Sequence, residues 1–595
     1  MATVITAIVG HRGSGKSAFL HRAQRLFSAA GIPAEFVDID HEIEVQAGKP
    51  ISELFPAIGE EEFRTIERTV AGEWFERLAD RDRAFVSLGA GFDGGIPEGV
   101  TVLWVQRSTD SHGRVFLDRP ALDPGALPLD EFLGRFEARR DRYRTLADET
   151  YLVAEGCTEP TDADRFILGF ATGELGGWLT VMPSDLEPRR WGRFVARRLG
   201  WGVARLEVRD DLVGSETMPH LKAIPAERLV VAYRTGERWL DALAAPGVLS
   251  DWAIELGEPP PAMDIVSLHD REAGESVAAA AGRLVAAGSG SHLKLAVEVR
   301  SIEELWQGHL WRAEAPDSRS FLPRSGDGRW SWYRQINKGS MLVNFFREGG
   351  GSAPDQPTMA EWAGTPSGPR SFAAILGLPV DHSRTPCEHG EFFRARDTPV
   401  VRIPLGECTA ASLDILAGLG LTHAAVTAPL KETMFGLCDD VVGAARDLGS
   451  VNTIMRRDGR WRGTNTDLAG VIAATEHVAP NAAVVLWGGG GTKATVVTAV
   501  PSAVPYSART GQPRPGVMPL PPGGPDIVIW AVGRNRQPAC QWPPAEWRPS
   551  EVIDLNYSDD SPGLEYAWRH GIAYRSGVEM FTAQAAQQRE FWDGG

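Results

Sequence analysis

The chain has 595 residues, with 61 Lys or Arg against 78 Asp or Glu, a formal net charge of −17. An acidic surface of that size repels phosphate backbones and anionic membranes, so neither nucleic acid nor a membrane is expected as a main partner. Hydrophobic residues make up 43% and charged residues 23%, as in ordinary globular domains, and the length suggests about four folding units.

No apolar run approaches the ~20 residues of a membrane helix. His11, Arg12 and Lys16 interrupt the first apolar run, so no signal peptide is expected. The five cysteines, Cys157, Cys387, Cys408, Cys438 and Cys540, are scattered, with no pair spaced for zinc or redox chemistry. A reducing, cytoplasmic setting is the expectation. The texture divides the chain into segments at 1–160, 175–368 and 371–595. The last splits into a lobe at 371–470, completed by the C-terminal helices, and a second lobe at 471–570.

The apolar strand Val4 to Val9 runs into Gly10-His11-Arg12-Gly13-Ser14-Gly15-Lys16-Ser17 and then the helical run Ala18 to Ala30. This is a complete phosphate-binding loop. Gly10, Gly13 and Gly15 let backbone N–H groups wrap nucleotide phosphates, Lys16 reaches the outer phosphates, and Ser17 holds Mg²⁺. Asp38 and Asp40 read as i and i+2 on the strand Glu35 to Ile39, sharing one face. Phe63-Arg64 with Glu67, Gly89-Ala90-Gly91, Arg119-Pro120, and Arg139 four residues before Tyr143 follow, the last on a charged helix Leu129 to Asp148. This order and spacing resemble shikimate kinase, with Ala90 where the family usually has a third glycine. The resemblance implies ATP with Mg²⁺ held by Ser17 and Asp38, catalysis by Lys16, Asp40 and the lid residue Arg119, and shikimate held by Arg64, Gly89, Gly91 and Arg139.

In the second segment, Glu207 and Arg209 share a face of the strand Val203 to Arg209. Lys294 stands between His292 and Ala296 opposite the apolar face Leu293, Leu295 and Val297. A lysine in such a strand loses hydration, which favours a nucleophilic amine. Further strands deliver Arg234, Glu255 and His269, as in a barrel that gathers its site from successive strand ends. Taken singly, Lys294 fits an edge-strand charge and His269 a core histidine. In order, Glu207-x-Arg209, Arg234, Ile254-Glu255-Leu256, Ser267-Leu268-His269-Asp270, Leu293-Lys294-Leu295-Ala296, Arg334 and Ser352-Ala353-Pro354-Asp355-Gln356 resemble type I 3-dehydroquinate dehydratase. The resemblance implies a Lys294 imine with the substrate ketone and His269 as acid–base, with no cofactor beyond the imine. Glu207, Arg209, Arg234, Glu255 and Arg334 would bind substrate, with Ser352 and Gln356 on a lid, the Gly-rich loop Gly349 to Pro357. Asp355 stands where that family usually has Gly.

The third segment opens Phe-Ala-Ala-Ile-Leu-Gly-Leu-Pro-Val-Asp-His-Ser-Arg-Thr-Pro over 372–386. It continues through Val426-Thr427-Ala428-Pro429-Leu430-Lys431, Ser450-Val451-Asn452-Thr453 and Gly463-Thr464-Asn465-Thr466-Asp467. The strand Ala483 to Trp487 then enters Gly488-Gly489-Gly490-Gly491-Thr492-Lys493-Ala494, a dinucleotide loop in a strand-to-helix setting. The next strand ends near Tyr506-Ser507-Ala508-Arg509-Thr510, and Gly511 to Pro525 reads as loop. This succession is similar to shikimate dehydrogenase. It implies shikimate held by Ser383, Thr385, Thr427, Asn452, Tyr557 and Gln584, an acid–base pair of Lys431 and Asp467, and NADP(H) held by Gly488, Gly490, Gly491 and Arg509.

The expected architecture is therefore α/β and multidomain: a P-loop kinase domain, a (β/α)8 barrel, and a two-lobed dehydrogenase with a Rossmann-type NADP lobe. The three resemblances fall in the order of the last three domains of the pentafunctional arom polypeptide. They imply passage from 3-dehydroquinate through 3-dehydroshikimate and shikimate to shikimate 3-phosphate, with those small molecules as partners and a homodimer left open. The rival readings are a metabolite-binding regulator like the quinate-pathway repressor and a fusion with an inactive kinase domain. Retention of Lys16, Asp40, Lys294, His269, Lys431 and Asp467 favours the enzyme.

Overall fold

The structure is a computed structural model that describes residues 4–29, 32–107, 110, 115, 127–153, 175–182, 191–288, 291–348, 351–381, 383–516, 520, 523–533, 541–558 and 560–594. Among these residues four sheets form.

The first is all parallel, in the order β2–β3–β1–β4–β5, from β1 (Val4–Val9), β2 (Glu35–Asp38), β3 (Arg83–Ser87), β4 (Thr101–Arg107) and β5 (Glu149–Val153). Ile5, Ala7, Ile8 and Val9 are all buried, as a central parallel strand covered on both faces must be. The helix Lys16–Ala29 buries Phe19, Leu20, Ala23 and Phe27, a helical-period stripe, against this sheet. Asp40 departs from the expected strand. β2 ends at Asp38, whose carboxylate accepts the Asp40 N–H and caps the helix Ile39–Ala47. The alternating Glu-Phe-Val-Asp-Ile-Asp pattern gives way to that cap.

The second sheet runs β12–β11–β10–β9–β8–β7–β6, all parallel: β6 (Trp178–Thr180), β7 (Arg205–Arg209), β8 (Leu229–Tyr233), β9 (Leu249–Ala253), β10 (Ile265–Leu268), β11 (His292–Leu295) and β12 (Arg319–Phe321). Its two ends meet the same segment. Trp178 on β6 bridges Phe345 in parallel, and the Val343 N–H donates to Ser320 Oγ on β12. The two ends of the sheet thus meet one segment, residues 343–345. The helices Val277–Ala287 and Ile302–Ala313 start at Ser276 and Ser301, whose hydroxyls accept the Ala279 and Glu304 N–H groups.

The third sheet, β14–β13–β15–β17–β18–β16, is mixed, with β13 (Phe372–Gly377), β14 (Val400–Pro404) and β15 (Leu421–Val426) parallel. β17 (Thr453–Arg457) runs antiparallel to β15 and to β18 (Arg460–Thr464), and the two-residue β16 (Asp440–Val441) lies parallel to β18. The C-terminal helix Val578–Gly594 returns to it: Gln588 bonds His389 and Thr453, and the Trp592 indole donates to the Ile454 carbonyl.

The fourth sheet runs β21–β20–β19–β22–β23–β24, from β19 (Val484–Gly488), β20 (Ala503–Ser507), β21 (Gln512–Pro513), β22 (Ile527–Ala531), β23 (Glu551–Asp554) and β24 (Ala573–Arg575). All neighbours are parallel except β20 and β21. The order reverses beside β19, a switch point where ligands bind doubly wound sheets. Gln512–Pro513 corrects the reading of 511–525 as loop throughout, since the chain folds back on β20 as a hairpin. Cys387 is disulfide-bonded, while Cys408 and Cys438 are free. Among the described residues no helix is long and apolar enough to cross a membrane.

Candidate active sites

In the first domain the turn after β1 places Gly10 at φ +156°, where a Cβ would lie 2.2 Å from the Val105 carbonyl oxygen. Only glycine permits that approach of loop to sheet. Lys16 Nζ donates to the Gly10 carbonyl at 3.1 Å, and Ser17 Oγ donates to Asp38 Oδ2 at 2.8 Å. The Ser17–Asp38 pair offers two hard oxygen donors, a fit for Mg²⁺. No cluster of three or more His, Cys, Asp or Glu able to hold a metal occurs among the described residues, so such an ion would complete its shell with phosphate and water. Asp40 is half-buried, and its desolvation raises its carboxyl above the ordinary range although Lys16 opposes it.

Gly91 lies against the Arg64 guanidinium: a Cβ there would meet Arg64 Nη2 at 2.0 Å. Arg64 is held by Glu67 at 2.5 Å, and Arg139 approaches Glu60 at 3.9 Å. Tyr143 ties the two loops together, donating to the carbonyls of Gly10 and Ala90, and burial pushes its hydroxyl up to about 12. Ala90 is not among the positive-φ residues, so its methyl carries no backbone strain. Arg119 lies outside the described residues.

In the second domain, side chains from successive strand ends line a cavity of about 300 Å³, among them Glu207, Arg209, Arg234, Glu255, His269, Lys294, Arg334, Ser352 and Gln356. Every second-domain residue singled out from the sequence is in that set. The surroundings of Lys294 differ from the expectation. It is 4% exposed, but its Nζ lies 2.8 Å from Asp251 Oδ2 and 3.4 Å from Glu207 Oε1. Burial is thus matched by two carboxylates in place of an apolar wall. Glu207 also accepts from Thr180 Oγ1 at 2.8 Å. Burial opposes its ionisation, but Lys294, Arg209 and Arg234 hold its carboxyl below the ordinary range. Arg209 spends its fork on Asp211, at 2.9 and 2.6 Å.

His269 follows β10, its backbone N–H donating to Glu255 Oε1 at 2.5 Å and its Nδ1 lying 3.8 Å from Glu255 Oε2. Burial first, and Arg234 second, lower the imidazole to about 4, so it is neutral at pH 7. Burial raises the Glu255 carboxyl, but His269 beside it and the N–H groups of His269 and Asp270 bring it to about 2. Arg334 is buried on the helix Ser331–Ile336, burial lowers it to about 10, and its Nε has no hydrogen-bond partner among the described residues. The loop over the cavity is described from residue 351. Gln356 Nε2 donates to Ser352 Oγ at 2.9 Å, and Ser352 Oγ donates to Thr180 Oγ1 at 3.2 Å, which connects the loop to Glu207 and Lys294 below. Asp355 is fully buried and accepts from Ser325 N, Ser325 Oγ and Trp330 N at 2.5, 2.6 and 2.9 Å. A glycine there could not make these bonds, which dock the loop on the segment leading to Arg334.

In the third domain Lys431 starts a helix after β15, and Asp467 starts the helix Asp467–Thr475 after β18. Their side chains meet at 2.5 Å, and Asn452 Nδ2 donates to the other Asp467 oxygen at 2.7 Å. Ser383 Oγ donates to Thr385 Oγ1 at 3.1 Å. Tyr557 interacts with Ser383 and the backbone of Arg384, and its hydroxyl is raised by burial. Thr427 lies against Gly377, and Gln584 faces Gly470 from the C-terminal helix. In the second lobe Gly488 and Gly489 have φ of +92° and +77°, and no atom lies within 4 Å of where a Cβ of Gly490 or Gly491 would point. Such open backbone after β19 fits a dinucleotide pyrophosphate. Arg509 is exposed in the turn between β20 and β21.

A shikimate dehydrogenase (NADP⁺) of Methylobacterium radiotolerans is 31% identical over 263 residues, covering 38% of this chain and 92% of that protein. The chain belongs to the shikimate dehydrogenase family. A Salinibacter ruber shikimate dehydrogenase (NADP⁺) is 30% identical over 264 residues, with 37% of this chain and 91% of that one covered. The shikimate dehydrogenase substrate-binding domain matches residues 375–454, and shikimate kinase matches residues 12–150. A solved shikimate 5-dehydrogenase of Thermus thermophilus, in complex with NADP(H) and shikimate, aligns with 38% of this chain and 94% of its own at 22% identity and a TM-score of 0.32.

The matched dehydrogenase segment contains Ser383, Thr385, Thr427, Lys431 and Asn452, and the matched kinase segment contains Lys16, Asp38, Asp40, Arg64 and Arg139. Two residues escaped the sequence reading, Asp251 and Thr180, which sit in the Lys294 network. Tyr143, which the sequence marked only by its spacing from Arg139, joins the phosphate loop to Gly89–Gly91. The spacing of Arg139 and Tyr143 on one helical face was a usable signal for the last. Asp251 and Thr180 are known only through pairing across strands.

Proposed function

We propose that this chain carries out three reactions of the shikimate pathway: dehydration of 3-dehydroquinate, NADPH-dependent reduction of 3-dehydroshikimate, and ATP-dependent phosphorylation of shikimate. The observation that carries the reading is the convergence of Lys294, His269, Glu207 and Arg334 on one cavity, between two domains already assigned to consecutive steps. The all-parallel, seven-stranded sheet whose two ends meet the segment 343–345 supports the (β/α)8 barrel that a type I 3-dehydroquinate dehydratase would need.

In the barrel, Lys294 would form an imine with the substrate ketone. Neutral His269 would take the adjacent C–H proton and return it to the departing hydroxyl. Arg334, whose Nη2 donates to the Pro323 carbonyl while its Nε has no partner among the described residues, suits the substrate carboxylate. In the dehydrogenase, Lys431 would donate a hydrogen bond to the ketone oxygen as negative charge develops there, with Asp467 holding the ammonium. NADPH would supply the hydride, its 2′-phosphate meeting Arg509. In the kinase, Asp40 would accept the proton of the attacking hydroxyl, Arg64 and Arg139 would hold the carboxylate, and ATP would supply the phosphoryl group.

Three assays on the intact chain test this: loss of 3-dehydroquinate, NADP⁺ reduction with shikimate, and ATP consumption with shikimate. All three are expected. Failure of the first alone removes the dehydratase, and failure of all three replaces the enzyme by a metabolite-binding regulator.

A further inference from the structure

The dehydratase reading leaves unexplained a carboxylate that does not line the cavity. Asp251 is on β9, 1% exposed, and one of its oxygens accepts from both Arg234 Nη2 at 2.5 Å and Lys294 Nζ at 2.8 Å. Its other oxygen has no hydrogen-bond partner among the described residues. One strand, β10, lies between Asp251 on β9 and Lys294 on β11. On β10 the residue in register with Lys294 is Ser267, whose short side chain bonds the Trp252 carbonyl and leaves the lysine room to reach across. Glu207 is the longer contact, is engaged by Thr180, and lines the cavity where substrate would sit. Asp251 stands behind the nitrogen.

A buried charge is tolerated only when paired. Here two carboxylates, Glu207 and Asp251, face two cations, Lys294 and Arg234. The chemistry proposed for Lys294 preserves that balance. An ammonium and a ketone give a protonated imine and one water: the nitrogen–carbon bond forms, the carbon–oxygen bond breaks, and both hydrogens of the water come from the ammonium. The nitrogen carries one positive charge before and after. An anion fixed behind it needs no reorganisation when the adduct forms. Burial works against ionisation of Asp251, but Arg234 and Lys294 hold its carboxyl far below the ordinary range, which suits a fixed anion and not a proton acceptor.

Resting on the dehydratase reading, we infer that Asp251 is the permanent counter-ion of the Lys294 nitrogen, a catalytic residue that keeps the substrate imine protonated. Glu207 is left to bind substrate, and His269 moves the protons.

The test is borohydride reduction of the intact chain with 3-dehydroquinate, followed by mass spectrometry of the Lys294 peptide. Wild type is expected to be labelled. Asp251→Asn is expected to be labelled at least tenfold more slowly, and Glu207→Gln to retain more labelling than Asp251→Asn. Dehydrogenase activity in the same samples reports on the rest of the chain. An unlabelled wild type overturns the dehydratase reading itself. A labelled wild type with Asp251→Asn labelled equally fast overturns only the counter-ion. Should Asp251→Asn fail to fold, Raman spectroscopy of the wild-type adduct decides. A C=N band that shifts in D₂O supports a protonated imine, and an unshifted band refutes it.

Discussion

Acidification separates a histidine held neutral by its surroundings from an ordinary one. His269 is brought from 6.5 to about 4 by burial and by Arg234, a shift that favours the neutral ring by about 3 kcal/mol. As a general base it works when neutral, so its lowered value moves the acid limb of the proposed dehydratase downward. At pH 5.5 a ring titrating at about 4 is ~97% neutral, while one titrating at 6.5 is only ~9% neutral. The other acids of the site do not blur the limb. Glu255 is brought to about 2, and Glu207 and Asp251 are held below their ordinary values. The assay is the pH dependence of kcat/KM for 3-dehydroquinate, which reports groups of the free enzyme. Nearly full activity at pH 5.5 and a half-point near pH 4 are expected. A half-point near 6.5 would refute both the burial argument and the electrostatic role of Arg234.

Lys431→Met should lower kcat for shikimate oxidation by roughly 10²–10⁴ with KM for NADP⁺ little changed, since Lys431 meets Asp467, which Asn452 holds from its other oxygen; steady-state kinetics with both substrates varied checks this. Arg509→Ala should raise KM for NADP⁺ by roughly 10-fold or more, the worth of a charge-assisted phosphate contact, and leave the KM for NAD⁺ unmoved; an equal effect on both cofactors speaks against contact with the 2′-phosphate. Asp355→Ala removes three hydrogen bonds to a buried carboxylate and should weaken the docking of the loop by about 3 kcal/mol or more. Hydrogen exchange read at the Ser325 and Trp330 amides should then rise sharply, with no change at β19 in the distant fourth sheet.

What could be read from the sequence was whatever the chemistry places contiguously. The phosphate loop is eight consecutive residues, and its strand and helix fall where the pattern requires them. His269 and Lys294 were legible because each follows or occupies an apolar strand with a fixed inward side. Asp40 was misplaced because a capping carboxylate and an alternating strand look alike at two-residue spacing; the Asp38 side chain, not periodicity, ends β2. Asp251 was invisible for a different reason. On β9 it shares a face with Leu249 and Ala253, which suggests no polar environment. Its meaning comes from Arg234 one strand away and Lys294 two strands away, and register across a closed sheet is not written in any one segment. Asp355 shows the converse. Its identity stood out in the sequence as a departure, and its reason lies in three donors some 25 to 30 residues away.

The boundary between the first two domains is built like a core. Phe19, Phe27, Tyr151 and Val153 of the first domain lie in one apolar cluster with Trp191, Phe194 and Trp201 of the second. Through this cluster passes Arg198, on the helix Trp191–Gly200, its guanidinium 4.4 Å from the Phe194 ring centre and 4.9 Å from that of Trp201. One arm of its fork reaches Glu149 on β5, at 2.5 Å, and the other reaches Glu348 just before the loop that covers the barrel cavity. Burial raises the Glu149 carboxyl, against the pull of Arg198 and Arg197, so this anion is costly to bury and is matched by two cations from the neighbouring domain. The same helix Lys16–Ala29 that contributes Phe19 and Phe27 begins with the phosphate-binding Lys16 and Ser17. On the far side, Trp332 of the second domain packs on Phe372 of β13 at 5.9 Å between ring centres, and a Cβ at Gly418 would lie 3.1 Å from the Trp306 ring. Surfaces that bury charge and pack this closely depend on the shapes of both partners, so the order of the three segments along the chain is also a packing order, and the second domain contributes faces to both neighbours.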